Sequence, residues 1–191
     1  MRLLPASART AQPWRNGAGS TLEVAHSGGP DFDWRISIAT VEGASEFSAY
    51  PGVDRVLLPL TPGGLGLVVN GRRVHLDRWQ QLAFAGELPV SSIAGAGATD
   101  DLNLMTRRSR CSGSVSVGEA PGILRAAEEE TLVLVVLDGS LEHDGGALGR
   151  YDAVQLGSGE SLRLRGRATV AVARITAGGQ APPTIGTPDL R

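Results

Sequence analysis

Lysine is absent from this chain of 191 residues, so all 18 basic side chains are arginines. A site that needs a cation must use a guanidinium, which suits planar carboxylates and cannot form a Schiff base. Cysteine occurs once, at Cys111, which excludes a disulfide framework and a thiolate metal cluster. Aromatic residues make up only 4 % of the chain. No apolar run approaches the ~20 residues of a membrane span, and "MRLLPASARTA" lacks the apolar stretch of a secretory signal. A cytoplasmic protein with no membrane partner is expected. The net charge of −2 gives no global reason to bind nucleic acid, and none is expected as a partner.

What is present is turn chemistry and alternation. The 26 glycines and 11 prolines favour short strands over a helix bundle. In "FDWRISIATV", Phe32, Trp34, Ile36 and Ile38 share one strand face, while Asp33, Arg35, Ser37 and Ala39 share the other. "GLGLVVNGRRVHL" predicts a hairpin closed by Asn70-Gly71, because both turn positions accept positive φ. Folding there places Leu65, Leu67, Val69, Arg72, Val74 and Leu76 on one side. "ETLVLVVLDG" reads as a strand buried on both faces, and "ESLRLRGRATVAVARI" as two strands around Gly166. Helical period is nearly absent. One short helix is expected from Pro121, and the Pro/Gly-rich end, residues 177–191, reads as a flexible tail.

Two segments share an order of events. "DRVLLPLTPGGLGLVVNGRRVHLDRWQQLAFAGELPV" and "ETLVLVVLDGSLEHDGGALGRYDAVQLGSGESLRL" each give an apolar strand, a short strand into an Asn-Gly or Asp-Gly turn, and further strands. A duplicated unit of about 75 residues would let each copy close a small barrel.

The strand order resembles half of a cupin barrel, twice over. More narrowly, the chain resembles the HutD/Ves family of bicupins, through "PWRNGAGST" at 13–21, "DWRISIATV" at 33–41, "FSAYPGVDRVL" at 47–57 and "DLNLMTRR" at 101–108. The resemblance implies an all-β bicupin: two cupin-like, jelly-roll β-barrels in one chain with very little helix. Residues 1–110 would form the first barrel, which carries the motifs, and residues 111–176 the second. It also implies a link to bacterial histidine utilisation, with a sensing or regulatory role through a pathway intermediate such as an N-formylated glutamate. The family's turn usually reads W-K/R-N-G-G-G, and here Ala18 replaces the middle glycine. If that position required positive φ, Ala18 would cost about 1 kcal/mol.

Many cupins hold a metal through histidines and a glutamate. The second cupin motif, G-x5-P-x-G-x2-H, laid on "YDAVQLGSGESL" puts Leu162 where the histidine belongs. On "DRWQQLAFAGELP" the same frame gives Phe84, Gly86 and Pro89. His75 and His143 fall in different copies and His26 in a turn, so neither a metal nor another cofactor is expected.

The residues that could carry recognition lie in the first half. Arg35 and Ser37 sit opposite Trp34, and Arg55 sits opposite Val56 and Leu58. In "DDLNLMTRR", Asp101, Asn103, Met105 and Arg107 share a face. Such faces either meet water, with each arginine paired to a nearby aspartate, or line the mouth of a narrow barrel that holds one small ligand. The second alternative gathers Trp14, Arg15, Asn16, Gly17, Arg35, Ser37, Arg55, Asn103, Met105 and Arg107 around a small anionic metabolite, with Trp14 as a flat wall. The competing reading is a metal-independent isomerase or hydrolase acting on a related acid. Its candidate groups, Glu23, Asp101 and His75, have no triad-like spacing, so the sequence leans away from an enzyme. "RRSRC" could offer a basic patch, but Arg107 and Arg108 alternate between faces. A docking surface on the second cupin, for a regulatory protein or for a twin subunit in a homodimer, is the remaining alternative.

Overall fold

A computed structural model describes residues 1–14, 17–29, 31–95 and 97–178. Its first half contains β1 (Arg2–Leu4), β2 (Gln12–Pro13), β3 (Gly19–His26), β4 (Trp34–Val41) and β5 (Val53–Pro59). β6 (Leu65–Val69), β7 (Arg72–Leu76), β8 (Leu82–Ala85), β9 (Val90–Ser92) and β10 (Thr99–Arg107) follow. The second half contains β11 (Cys111–Glu119), β12 (Ile123–Arg125), β13 (Glu130–His143) and β14 (Gly146–Leu148). β15 (Ala153–Leu156), β16 (Ser161–Arg163) and β17 (Arg165–Ala177) complete it. One 3-10 turn, Ala6–Ala8, is the only helical element among the described residues, so the chain is all-β.

Two six-stranded antiparallel sheets dominate. The first has the order β2-β3-β4-β10-β5-β8; the second has β1-β15-β13-β17-β11, with β14 attached to β13. Two small sheets, β7-β6-β9 and β12-β16, complete the structure. Within the large sheets the paths β4-β10-β5-β8 and β11-β17-β13-β15 follow the same pattern: in chain order, the first, fourth, second and third of the four strands in each path.

Alternation sets the layers. Ile36, Ile38, Leu58, Leu102 and Leu104 leave the first sheet on one side and pack against Val133, Val135, Ala171 and Ala173 of the second. Register fixes the match, with Ile38 opposite Leu102 and Ile36 opposite Leu104. Gly113 on β11 admits this contact, since a Cβ there would lie 3.0 Å from Leu104 and 2.9 Å from Thr106.

β13 is buried on both faces, as its unbroken apolar run requires. Val133 and Val135 point into the core between the sheets. Leu132, Leu134 and Val136 point into a second core with Leu124, Val154, Leu156 and Val170. A third core, with Leu57, Leu65, Leu67, Leu76 and Phe84, lies between the first sheet and β7-β6-β9. The Asn70-Gly71 turn has φ of 47° and 80° and sets Val69 opposite Arg72, as its sequence predicts.

Two local expectations change. Instead of a helix after Pro121, residues 123–125 form β12, because pairing with β16 buries Leu124 at the second core. The strand break near Gly166 falls at Leu164 instead, and Gly166 lies inside β17 with φ +101°, where a Cβ would sit 2.9 Å from the Ser140 carbonyl oxygen. β1, at the start of segment 1–110, pairs with β15 at the edge of the second sheet. β17 extends to Ala177, which pairs with Cys111, so that part of the expected tail is strand; residues 179–191 lie outside the described residues.

Candidate functional site

The face of the first sheet that does not meet the second sheet carries polar groups at successive register positions. Across β4, β10 and β5, Arg35, Met105 and Arg55 form one row, and Ser37, Asn103 and Leu57 the next. Ala39 and Asp101 stand in a third row, with Pro59. These rows floor a cavity of about 480 Å³, walled by Trp14, Phe47 and Tyr50 and reached by Thr21 from β3.

Arg55 is the centre of this floor and is only 5 % exposed. Its Nη2 donates to Asn103 Oδ1 at 2.8 Å. Rings of Phe84, Phe47 and Tyr50 stand 5.0, 5.4 and 5.9 Å from its guanidinium carbon. Aromatic faces soften the loss of water around a cation without neutralising it. Burial lowers the Arg55 pKa, and the nearby Asp101 opposes that shift. Nε makes no hydrogen bond, and no carboxylate oxygen among the described residues comes within 4.0 Å of the guanidinium. A buried arginine whose protein hydrogen bond goes to a neutral amide leaves charge available to an anion.

Asn103 holds the floor together, because its Nδ2 donates to Asp101 Oδ1. Asp101 is 0 % exposed, and its Oδ2 has no partner. Burial pushes its pKa up to about 7, against the opposing pull of Arg55 and the Asn103 hydrogen bond. Arg35 differs from Arg55, since its Nε lies 3.2 Å from Glu23 Oε2. Glu23 is also 3.5 Å from His26 Nε2.

Trp14 reaches the wall through a tight turn. Its Nε1 donates to Thr21 Oγ1 at 2.8 Å, and its ring meets Phe47 edge-on at 6.3 Å. Gly17, with φ of 70°, donates its N–H to the Trp14 carbonyl and shapes the turn without lining the cavity. Gly19 has no room for a Cβ, which would lie 2.3 Å from the Thr40 carbonyl oxygen and 3.1 Å from the indole. Ala18 is not among the residues with positive φ, so its replacement of the usual glycine carries no backbone strain. Arg15 and Asn16, expected to present their side chains here, lie outside the described residues.

The sequence model of the HutD family matches residues 6–179. The chain belongs to the HutD family. Among its relatives, Protein Ves of Citrobacter koseri is 44 % identical over 110 residues, which are 56 % of this chain and 58 % of that protein. The chain thus matches less than two thirds of the length of that relative. The solved structure of HutD from Pseudomonas fluorescens SBW25 (formate condition) is similar at 27 % identity and a TM-score of 0.78, covering 93 % of this chain and 99 % of that one. Escherichia coli YhhW, at 8 % identity and a TM-score of 0.67 over 97 % of this chain and 99 % of that one, shares the cupin-type fold alone.

In this HutD-family chain the expected recognition set does not all converge. Trp14, Arg35, Ser37, Arg55, Asn103 and Met105 line the cavity together. Arg107 does not, although alternation puts it on the same face. It stands one row past Met105, where Asp31 and the Phe32 carbonyl take its guanidinium. The rest of "RRSRC" is likewise neutralised, with Arg108 on Asp54 and Glu87 and Arg110 on Asp33. Of the candidate acid-base groups, Asp101 lines the cavity, Glu23 pairs with Arg35, and His75 lies elsewhere, 3.8 Å from Asp77. Phe47 and Tyr50 come from a stretch without period, and Thr21 and Phe84 were signalled only by alternation in "STLEV" and "LAFA".

A cupin metal does not fit these residues. Two guanidiniums share the floor with its one carboxyl, and that carboxyl already accepts from Asn103. Among the described residues no group of three or more His, Cys, Asp or Glu side chains comes together. No helix among them is long and apolar enough to cross a membrane.

Proposed function

We propose that this protein is a bicupin whose first barrel binds a small carboxylate metabolite without a metal, and that binding serves a sensing or regulatory role in histidine utilisation. An intermediate resembling N-formylglutamate is the expected ligand. The observation that carries this reading is Arg55: a guanidinium enclosed by three aromatic rings, facing a cavity, with a neutral amide as its hydrogen-bond acceptor. A ligand carboxylate there gives the guanidinium a direct charged acceptor, which Asp101 supplies only through Asn103, and Trp14 with Phe47 gives the carbon skeleton an apolar wall. The cavity, about 480 Å³, suits one small acid.

Charge-assisted hydrogen bonds contribute about 1.5–3 kcal/mol each, and two or three of them must offset at least ~4 kcal/mol of lost freedom. These terms alone reach about millimolar affinity, and apolar contact with Trp14 and Phe47 extends the expected range toward micromolar. Calorimetric titration with N-formylglutamate, urocanate, histidine and glutamate tests this. Saturable heat with at least one acid is expected. Absence of heat with all four, together with no thermal shift, overturns it.

One observation favours the enzymatic alternative: Asp101 is a buried carboxyl with an unpartnered oxygen beside the cavity, as a proton-transferring group would be. Product signals in NMR spectra of the same acids incubated with the protein would establish turnover, and unchanged spectra would remove that alternative.

A further inference from the structure

The charges around the cavity form two sets. Arg35 from β4 is balanced by Glu23 from β3. Arg55 from β5 faces Asp101 from β10 through Asn103, which accepts from one and donates to the other. Tyr50 and the exposed Glu46 stand on the connection that walls the cavity, and Asp100 adjoins Asp101 but turns away to Thr40 and Tyr151. With Asp101 ionised, the cavity floor is neutral before any ligand arrives. An anion entering beside Arg55 then leaves two negative groups around one buried cation, in surroundings where water cannot screen them. A proton on Asp101 restores neutrality. It also gives Oδ2, which has no partner in the protein, a hydrogen to donate.

We infer that the anion held by Arg55 is received together with a proton, which resides on Asp101 and is donated from Oδ2 toward the ligand. The inference rests on the carboxylate-binding reading above and adds a second recognition element to it. The proton comes from solvent and returns there when the ligand leaves. Asn103 is the positioning residue, because its amide oxygen is committed to Arg55 and its amide nitrogen to Asp101 Oδ1, which leaves Oδ2 as the uncommitted carboxyl oxygen. The Asp101 pKa of about 7 places this exchange within the ordinary physiological range.

The test is a calorimetric titration of N-formylglutamate between pH 7 and 8.5 in two cationic buffers, Tris and triethanolamine, neither of which competes for an arginine site. Their different ionisation heats report the protons taken up per ligand bound. Uptake approaching one proton at pH 8, with affinity falling about tenfold per pH unit above pH 7.5, is the expected result. Asp101→Asn should bind with no uptake and a flat pH profile, whereas Glu23→Gln should retain the uptake. Wild-type binding without proton uptake, or undiminished uptake by Asp101→Asn, overturns the inference while leaving the carboxylate site in place. No heat at any pH removes the binding reading itself, and the inference with it. The two-buffer measurement on wild-type protein stands even if a variant does not fold.

Discussion

The two halves of this chain thread their large sheets in the same order, yet fill the space beside them differently. In the second half, β13, β15 and β17 turn Leu132, Leu134, Val136, Val154, Leu156, Val170 and Val172 into a solid apolar core. In the first half, β4, β5 and β10 turn Arg35, Ser37, Arg55, Asp101, Asn103 and Met105 into a cavity, with apolar packing confined to the region around Leu57, Leu67 and Phe84. The lesson concerns division of labour. Both halves meet through the same kind of β-branched and leucine face, which the fold needs. The opposite faces are free to differ: one is filled by apolar packing, and the other lines a polar cavity.

The contrast can be broken first at its apolar side. Leu134→Ala removes a fully buried side chain from the second core and should lower the unfolding free energy by about 2–5 kcal/mol in denaturant titrations. Ligand affinity should stay within about twofold of wild type, since free energies of distant sites add. A collapse of binding in the folded variant would show that the halves are not separable.

The polar side should show itself in pH dependence. Asp101 has a native pKa raised to about 7 from an ordinary 3.8, so between these values the native state holds a proton that the unfolded state has lost. Wild-type stability should therefore fall as pH rises from about 4 to about 7, by at most about 1.4 kcal/mol per pH unit from this group, and then level off. Asp101→Asn should flatten that part of the profile, and an unchanged slope would place the titrating group elsewhere.

Smaller effects sharpen the boundary of the site. Gly19→Ala must displace the Thr40 carbonyl and crowd the Trp14 indole, at a cost of about 1–3 kcal/mol, and should weaken binding by moving the wall. Arg107→Gln removes an exposed ion pair with Asp31 and should change stability by less than ~1 kcal/mol, with no effect on binding. Impaired binding by a folded Arg107→Gln would return that residue to the site.

Much of this was legible in the sequence, for a specific reason. Period-2 alternation fixes which side chains share a face, so the polar rows of β4, β5 and β10 follow from "WRIS", "DRVL" and "DLNLM" alone. Alternation does not say where a row stops mattering, which is why Arg107 shares the face but not the cavity. Nor does it reach "EFSAY". Phe47 and Tyr50 are placed by backbone hydrogen bonds to Val90 and Gly86, partners some forty residues away in sequence. The segment after Pro121 failed in the opposite direction. Its local composition suits a helix, but Leu124 is claimed by the second core through pairing with β16.

The most direct test of the central claim is a comparison of wild-type protein and Arg55→Met by calorimetric titration with the acid that binds wild type most tightly. Methionine keeps the volume and apolar reach of the arginine stem while removing the guanidinium, so the first half should remain folded. Affinity should drop about 10- to 100-fold, as expected for charge-assisted bonds worth about 1.5–3 kcal/mol. Equal affinity for Arg55→Met and wild type would contradict the account, because the acid would then be bound somewhere other than beside this cation.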